Sequence, residues 1–293
     1  MTYNTYIIFS SWEDRFIKTF ENDTLNYKFN KIILLNYNNG HNLDLKQSNI
    51  DKIKTLNSDN VDIVNIEINN DVANWKQLNK IFKENINGNV LLNISTMPRN
   101  IIYYCLHFLD NFNYQYNTIY YNAIKHDEKL TQSPLTPNLI LQHSGIFHSD
   151  KKTLLVVSLG YDEKRIYQVY NYFEPKKIII LKEEAHRTII DKNIDFEFND
   201  INEKKVLPIN SFKENNIFNT LEKEVTPLIK KYNIILCSLG PKISSLELYK
   251  YNQKYPETGL CYVSLKEYSS IYSNGVNLEE PIIRREQNLA IDL

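Results

Sequence analysis

Two proline-containing corners carry the residue types best suited to holding an anion. Ser95-Thr-Met-Pro-Arg99 and Ser238-Leu-Gly-Pro-Lys242 each follow a short apolar run. The N–H groups at the start of a helix bind phosphate or carboxylate groups well. A cation placed there opposes the helix macrodipole by about 0.3–1 kcal/mol, a cost that a bound anion would offset. The candidate ligand-binding residues of these corners are Ser95, Thr96, Arg99, Ser238, Gly240 and Lys242.

The prolines predict where the two helices begin. Proline pushes the preceding residue out of the helical region and is favoured as the first helical residue. We therefore expect Met97 and Gly240 to be N-caps and Pro98 and Pro241 to open the helices. The cation of each corner would then occupy the second helical position.

A second pair of corners follows the first strand of each half. The spacing of Ser11 and Asp14 resembles a capping box. A glycine lets the backbone approach a ligand closely, and Trp12 offers a ring that either stacks on a ligand or packs in the core. Each arginine has the alternative of pairing with a neighbouring acid, Asp14 or Glu163. The candidate ligand-binding residues here are Ser10, Ser11, Trp12, Arg15, Ser158, Gly160 and Arg165.

Short apolar runs alternate with stretches of helical spacing, which predicts the elements that position these corners. The runs lack polar alternation, as is typical of strands buried on both faces. The predicted strands are residues 6–9, 31–35, 61–66, 90–94, 118–121, 153–157, 177–181, 205–209, 233–237 and 259–263. The predicted helices are residues 13–21, 75–84, 100–109, 164–173, 218–230 and 244–254. This order predicts an α/β fold with parallel central sheets.

The two halves of the chain match each other. Ser10 and Ser95 are 85 positions apart, and Ser158 and Ser238 are 80 apart. The tyrosine of the last predicted strand also follows the second serine at a similar distance. Tyr120 is 25 positions after Ser95, and Tyr262 is 24 positions after Ser238. We therefore predict two tandem Rossmann-like units related by a pseudo-twofold internal duplication.

The predicted division of the chain has three parts. Residues 1–124 form the first unit, residues 125–152 an aperiodic connection with two prolines, and residues 153–293 the second unit with its tail. In open parallel sheets, ligands bind beyond the carboxyl ends of the strands, where the strand order reverses. Both pairs of corners are expected at that place.

Composition excludes several function classes. The 293 residues are 42% hydrophobic and 24% charged, and the formal net charge of −1 disfavours a generic nucleic-acid binder. Three cysteines without a CxxC pair favour a reducing compartment. We find no secretory leader and no stretch that predicts a membrane span, and therefore expect a cytoplasmic protein without membrane contact.

Motifs of known catalytic chemistry are absent from the sequence. It contains no P-loop, no GxGxxG after a strand, no GxSxG elbow and no His/Cys zinc pattern. We accordingly predict neither a cofactor nor a metal site, and leave the catalytic residues unassigned. His143 and His148 are interpreted as solvated loop residues.

The corners resemble those of a known sensor superfamily. Leu154-Leu-Val-Val-Ser-Leu-Gly160 and Leu236-Cys-Ser-Leu-Gly-Pro-Lys242 are similar to the two ligand-contacting corners of CARF domains. These domains, like the related SAVED domains, are Rossmann-like sensors of cyclic oligoadenylates in prokaryotic antiviral defence. Here the second corner lacks the family's threonine, and the corresponding corner of the first half has no glycine.

The resemblance implies a function and leaves alternatives. It implies that Arg99 and Lys242 contact phosphates of a cyclic oligonucleotide, with Ser10, Ser158 and Gly160 on the opposite wall. The leading hypothesis is a sensor of a phosphate-containing small molecule that acts through a protein partner or as a homo-oligomer. The alternatives are an enzyme at the same crevice, such as a ring nuclease, phosphodiesterase or transferase, and a non-catalytic subunit of a larger assembly.

Overall fold

The computed structural model describes residues 1–38, 42–56, 60–126, 131–159, 163–184, 203–268 and 273–286. The strands are β1 (Thr2–Phe9), β2 (Lys28–Tyr37), β3 (Val61–Ile66), β4 (Val90–Asn93), β5 (Tyr116–Tyr120), β6 (Ala123–His126), β7 (Thr131–Leu139), β8 (Lys152–Ser158), β9 (Lys177–Glu183), β10 (Glu203–Ile209), β11 (Tyr232–Ser238), β12 (Gly259–Tyr268), β13 (Ser273–Val276) and β14 (Ile282–Glu286). The helices are α1 (Asp14–Asn26), α2 (Leu43–Leu56), α3 (Asp71–Asn85), α4 (Arg99–Asn111), α5 (Glu163–Phe173), α6 (Asn216–Glu224) and α7 (Ser244–Lys254), with a 3-10 turn at Thr226–Leu228.

Two six-stranded sheets with the same strand arrangement confirm the predicted α/β class of two Rossmann-like units. The order is β14-β5-β4-β1-β2-β3 in the first sheet and β10-β9-β8-β11-β12-β7 in the second. The central parallel neighbours are β1 and β4 in the first sheet and β8 and β11 in the second. Each predicted strand overlaps one of β1–β5 or β8–β12.

The structure divides the chain differently from the predicted boundaries. Residues 1–130 and 267–293 form one compact unit, and residues 131–266 form the other. The tail, predicted to belong to the second unit, instead contributes β14, which pairs antiparallel with β5 in the first sheet. The predicted connection contributes β7 to the edge of the second sheet. Each added strand covers the outer edge of a fifth strand, where unpaired N–H and C=O groups would otherwise be exposed.

The register of the central strands confirms the spacing of the repeats but shifts their alignment by one residue. Pairs such as Ile8 with Asn93 and Val157 with Cys237 reproduce the separations of 85 and 80 positions. However, the N–H of Ser10 donates to Leu35 O, whereas in the second sheet the equivalent bond, to Leu181 O, comes from Leu159. Ser10 is therefore equivalent to Leu159.

The shift has a consequence for the two serines that were aligned. Successive side chains of a strand point to opposite faces. Ile8 packs with Phe16 of α1, while Val157 packs with Ile166 of α5. Ser10 lies on the same face as Ile8, but Ser158 lies on the face opposite Val157. The two serines therefore point to opposite faces of their sheets.

One helix in the described part of the first unit was missed by the sequence prediction. The helix α2 buries only Lys46, Ile50 and Ile53, and leaves Leu45 57% exposed. Because its buried face is narrow and its leucines are exposed, the apolar periodicity is weak. The predicted helix 218–230 starts two residues too late, since α6 begins at Asn216. It also runs too far, since α6 ends at Glu224, before the 3-10 turn that contains Pro227.

Candidate functional site

The structure brings the two corners of the first unit into direct contact. Thr96, in the corner after β4, donates from Oγ1 to the carbonyl oxygen of Phe9 at the end of β1, at 2.7 Å. The hydroxyl of Ser95 accepts from the N–H of Tyr121 at 3.0 Å. Ser95 and Thr96 are buried, so these hydroxyls hold the loop to the sheet in addition to any contact with a ligand.

Replacing Thr96 with valine tests this structural role. Valine keeps the shape of the side chain but leaves the carbonyl of Phe9 without the 2.7 Å bond. We expect the free energy of unfolding of the first unit to fall by about 1 kcal/mol. Urea denaturation of the variant measures the change, and an unchanged midpoint would contradict the role assigned to the hydroxyl.

A row of polar side chains crosses the carboxyl ends of the first three strands. Ser10 donates to Oδ1 of Asn36 at 2.7 Å, and Nδ2 of Asn36 donates to Oδ1 of Asn65 at 2.8 Å. Ser10 was predicted as a site residue, whereas the two asparagines were not. The sequence pattern could have identified them, because Asn36 follows an apolar strand run and Asn65 interrupts one near its carboxyl end.

Arg15 lies against an acid other than the one expected. Its Nη2 atom is 3.1 Å from Oε2 of Glu13, and both side chains are buried. Asp14, the expected partner, instead pairs with Lys18 at 3.2 Å on the surface. A buried cation beside a buried carboxylate forms a nearly neutral pair at this corner.

At three of the corners, the helix starts at a residue other than the predicted one. The helix α1 begins at Asp14 with Glu13 as its N-cap, and Ser11 Oγ accepts from the N–H of Glu13 at 3.2 Å instead of forming a capping box. The helix α4 begins at Arg99 with Pro98 as its N-cap, so Met97 is not the cap. Pro98 is extended, with ψ of 146°, which places the first helical residue after it.

The helix α7 begins later than predicted. Its N-cap is Ile243, and Gly240 and Pro241 lie before the helix. The N–H of Ser244 donates to Pro241 O at 2.9 Å, and that of Ser245 donates to Lys242 O at 3.0 Å. These bonds span three residues, so a tighter turn that contains Lys242 precedes the helix.

The corners of the second unit meet through a cluster of buried serines. Ser158 Oγ accepts from the N–H of Gly240 at 3.1 Å and lies 3.1 Å from Ser244 Oγ. Ser244 Oγ is 2.8 Å from Ser238 Oγ, and Ser245 donates to Ser238 at 3.1 Å. Ser244 and Ser245 were predicted only as the start of a helix and not as site residues.

The remaining predicted site residues have distinct environments. Arg99 and Arg165 are buried, at 8% and 5% exposure, while Lys242 and Trp12 are partly exposed. Gly160 lies outside the described residues, as does the side chain of Glu163, the expected partner of Arg165. The structure thus brings together Ser158, Ser238 and Gly240 in one unit.

The interpretation of His143 as a solvated loop residue was wrong. His143 is buried, its Nδ1 atom is 2.6 Å from Oδ1 of Asn252, and its ring packs on Tyr249. Burial lowers the pKa of His143, whereas the hydrogen bond that Oδ1 of Asn252 accepts from its ring raises it. His148 is exposed, as expected.

A buried carboxylate in the first unit was not predicted as a site residue. Asp23 of α1 is fully buried and accepts from Tyr6 OH at 2.6 Å, from Asn93 Nδ2 at 2.8 Å and from the hydroxyl of Tyr121. Burial raises the pKa of Asp23 to about 6, although these three hydrogen bonds lower it. The predicted helix ended at residue 21, although Asp23 follows Phe16 by seven residues and therefore lies on the buried face of α1.

Within the described ranges, no three His, Cys, Asp or Glu side chains converge to hold a metal ion. In the same part of the chain, none of the helices has both the length and the apolar character needed to cross a bilayer.

No protein-family model matches the chain, and no curated protein sequence matches it significantly.

Proposed function

We propose that the protein binds a phosphate-containing small molecule at the carboxyl ends of the central strands and transmits this binding to a partner protein. The observation that carries the proposal is the start of α4. This helix begins at Arg99, no side chain caps its N-terminus, and its first turn contains no acid. A helix start that carries a cation and no acid of its own is suited to an anion, and the nearby Asp71 of α3 accepts from Asn100 Nδ2 at 3.2 Å.

The position of this helix start supports the proposal. It follows β4, which pairs with β1 at the centre of the first sheet. Strand order reverses at this point, and open parallel sheets bind ligands there. Lys242 occupies the turn between β11 and α7, the equivalent place in the second unit. The resemblance to cyclic-oligonucleotide sensors favours a nucleotide as the ligand, with an antiviral signal as its natural source.

Substitution of the two corner cations tests the proposal. We expect R99Q and K242Q each to weaken binding of a cyclic oligoadenylate about tenfold or more, because a hydrogen bond to a charged group contributes about 1.5–3 kcal/mol. Isothermal titration calorimetry measures this. K18Q and K223Q are the controls, since they remove one exposed cation from each unit and should change the affinity less than threefold.

The same titration separates the alternatives. Turnover of the oligonucleotide during the experiment, lost in R99Q, would support an enzyme. Absence of binding by the folded protein to cyclic oligoadenylates and to pyrophosphate would overturn the proposal and favour a non-catalytic subunit of an assembly. Equal losses in the controls and in the corner variants would show nonspecific electrostatic attraction.

A further inference from the structure

Four residues of the first unit form a closed ring of hydrogen bonds. The carboxylate of Asp23 accepts from Nδ2 of Asn93, and Oδ1 of Asn93 accepts from the N–H of Ser95 at 3.0 Å. Ser95 Oγ accepts from the N–H of Tyr121 at 3.0 Å, and the hydroxyl of Tyr121 donates back to Asp23. We call these four residues the Asp23 ring. It connects a buried ionisable group of α1 to the backbone of the corner after β4.

The second unit shows that the fold does not require this ring. The shifted alignment of the two units places apolar residues at the equivalent strand positions, and Phe173 follows Ile166 by seven residues as Asp23 follows Phe16. The counterparts of Tyr6, Asn93, Tyr121 and Asp23 are Leu155, Cys237, Val263 and Phe173, all of which belong to or pack against one apolar cluster. Because replacing a set of buried polar partners by apolar groups of similar shape is often nearly neutral for stability, the ring indicates a role other than folding.

The number of hydrogen bonds that Asp23 can accept depends on its charge. Three donors, from Tyr6, Tyr121 and Asn93, point at its two oxygens. An ionised carboxylate accepts all three, and such charge-assisted bonds are about twice as strong as neutral ones. A protonated carboxyl must donate one hydrogen itself, so one of the two phenols loses its acceptor.

Other ionisable groups around Asp23 do not titrate in the same range. The phenols of Tyr6 on β1, Tyr121 after β5 and Tyr27 at the end of α1 interact with it electrostatically, and burial raises the pKa of each. The strand β13, which also packs on α1, has no ionisable residue. Burial raises the pKa of Asp23 to about 6, so Asp23 alone of these groups changes charge between pH 5 and 7.5.

We infer that Asp23 is a positioning residue that sets the corner after β4, holding it when ionised and loosening it when protonated. The carboxylate acts through Asn93 on Ser95 and through Tyr121 on the end of β5. Loosening concerns the corner and leaves Asp23 between α1 and the sheet. The effect on the backbone is independent of any ligand, whereas its use to regulate anion binding rests on the function proposed above.

Amide hydrogen exchange measured by NMR tests the inference. We expect the protection factors of the Ser95 and Tyr121 amides to fall three- to tenfold between pH 7.5 and pH 5. The Leu239 amide, which donates to Ser158 O in the second unit at 3.1 Å, is the internal control and should stay constant. Protection at Ser95 and Tyr121 that is flat or rises toward low pH would overturn the inference.

Two variants assign the effect to the ring. D23N is nearly isosteric and cannot ionise, so its protection factors should be low and independent of pH. Y121F opens the ring, whereas Y6F removes another donor to the same carboxylate without opening it. We expect the backbone amide of residue 121 to lose at least three times more protection in Y121F than in Y6F. Equal losses in the two variants would show general loosening of the core.

Pyrophosphate titration at the two pH values separates this inference from the proposed function. The affinity of the wild type for pyrophosphate is divided by that of D23N at the same pH. We expect this ratio to be at least threefold lower at pH 5 than at pH 7.5. Pyrophosphate bound equally at both pH values would overturn the regulatory part. A corner that titrates in a protein that binds no pyrophosphate would leave the positioning role intact and count against the proposed ligand.

Discussion

Replacing Gly240 with valine is expected to lower the free energy of unfolding of the second unit by about 3 kcal/mol. A Cβ atom at this position would lie 2.7 Å from the carbonyl oxygen of Leu159 and 2.7 Å from Oγ of Ser158. Because the Leu159 oxygen is backbone, rotation of a side chain cannot relieve the clash. The corner would have to move away from β8 and break the bond between Gly240 N–H and Ser158. Urea denaturation measures the loss.

The first unit supplies the matched control for this substitution. With the one-residue shift, Thr96 is the counterpart of Gly240, and its side chain already occupies the corner with a hydrogen bond to Phe9. T96V therefore introduces valine at the equivalent position without a clash, at a cost of about 1 kcal/mol. Similar costs for T96V and G240V would contradict the close approach assigned to Gly240.

The second large effect concerns the pH dependence of stability. Burial raises the pKa of Asp23 from 3.8 to about 6 in the folded protein. A carboxyl group whose pKa is higher in the folded state stabilises the fold fully below about pH 4 and loses that contribution as the pH rises through about 6. We expect the first unit to lose on the order of 2–3 kcal/mol of unfolding free energy between pH 4 and pH 7.5 from this group.

Comparison with D23N isolates this contribution. The variant retains all other ionisable groups, so the difference in unfolding free energy between wild type and D23N, measured in urea at each pH, reports Asp23 alone. As the pH rises, the wild type should become less stable relative to D23N. A difference that is constant from pH 4 to 7.5, or that shifts in favour of the wild type, would show that the pKa of Asp23 is not raised.

The two pH effects run in opposite directions for a physical reason. Global unfolding returns the Asp23 carboxylate to water, so ionisation favours the unfolded chain. Loosening of the corner leaves Asp23 buried, and its outcome depends on how many hydrogen bonds the carboxyl accepts. The ionised form therefore lowers the stability of the unit as a whole while it holds the Ser95 corner more firmly.

The sequence by itself determined the class of fold and the central strands of both units. Strands buried on both faces leave continuous apolar runs, and the separations of 85 and 80 positions in these runs equal the register offsets of the central pairs. These features are local or periodic, so they survive in a single sequence. The same patterns led to the corners at Thr96 and Gly240, which the structure joins to the ends of β1 and β8.

Only the tertiary structure decided the alignment of the two halves and the sheet to which the tail belongs. A shift of one residue exchanges the two faces of a strand, and the apolar runs look alike on both faces, so the matched serines Ser10 and Ser158 were aligned wrongly. The strand β14 pairs with β5 across more than 150 positions, and such pairing has no local signal. The partners of the polar groups were equally hidden, because Asp23 lies within a helix of ordinary composition while its hydrogen-bond donors come from three strands or their ends.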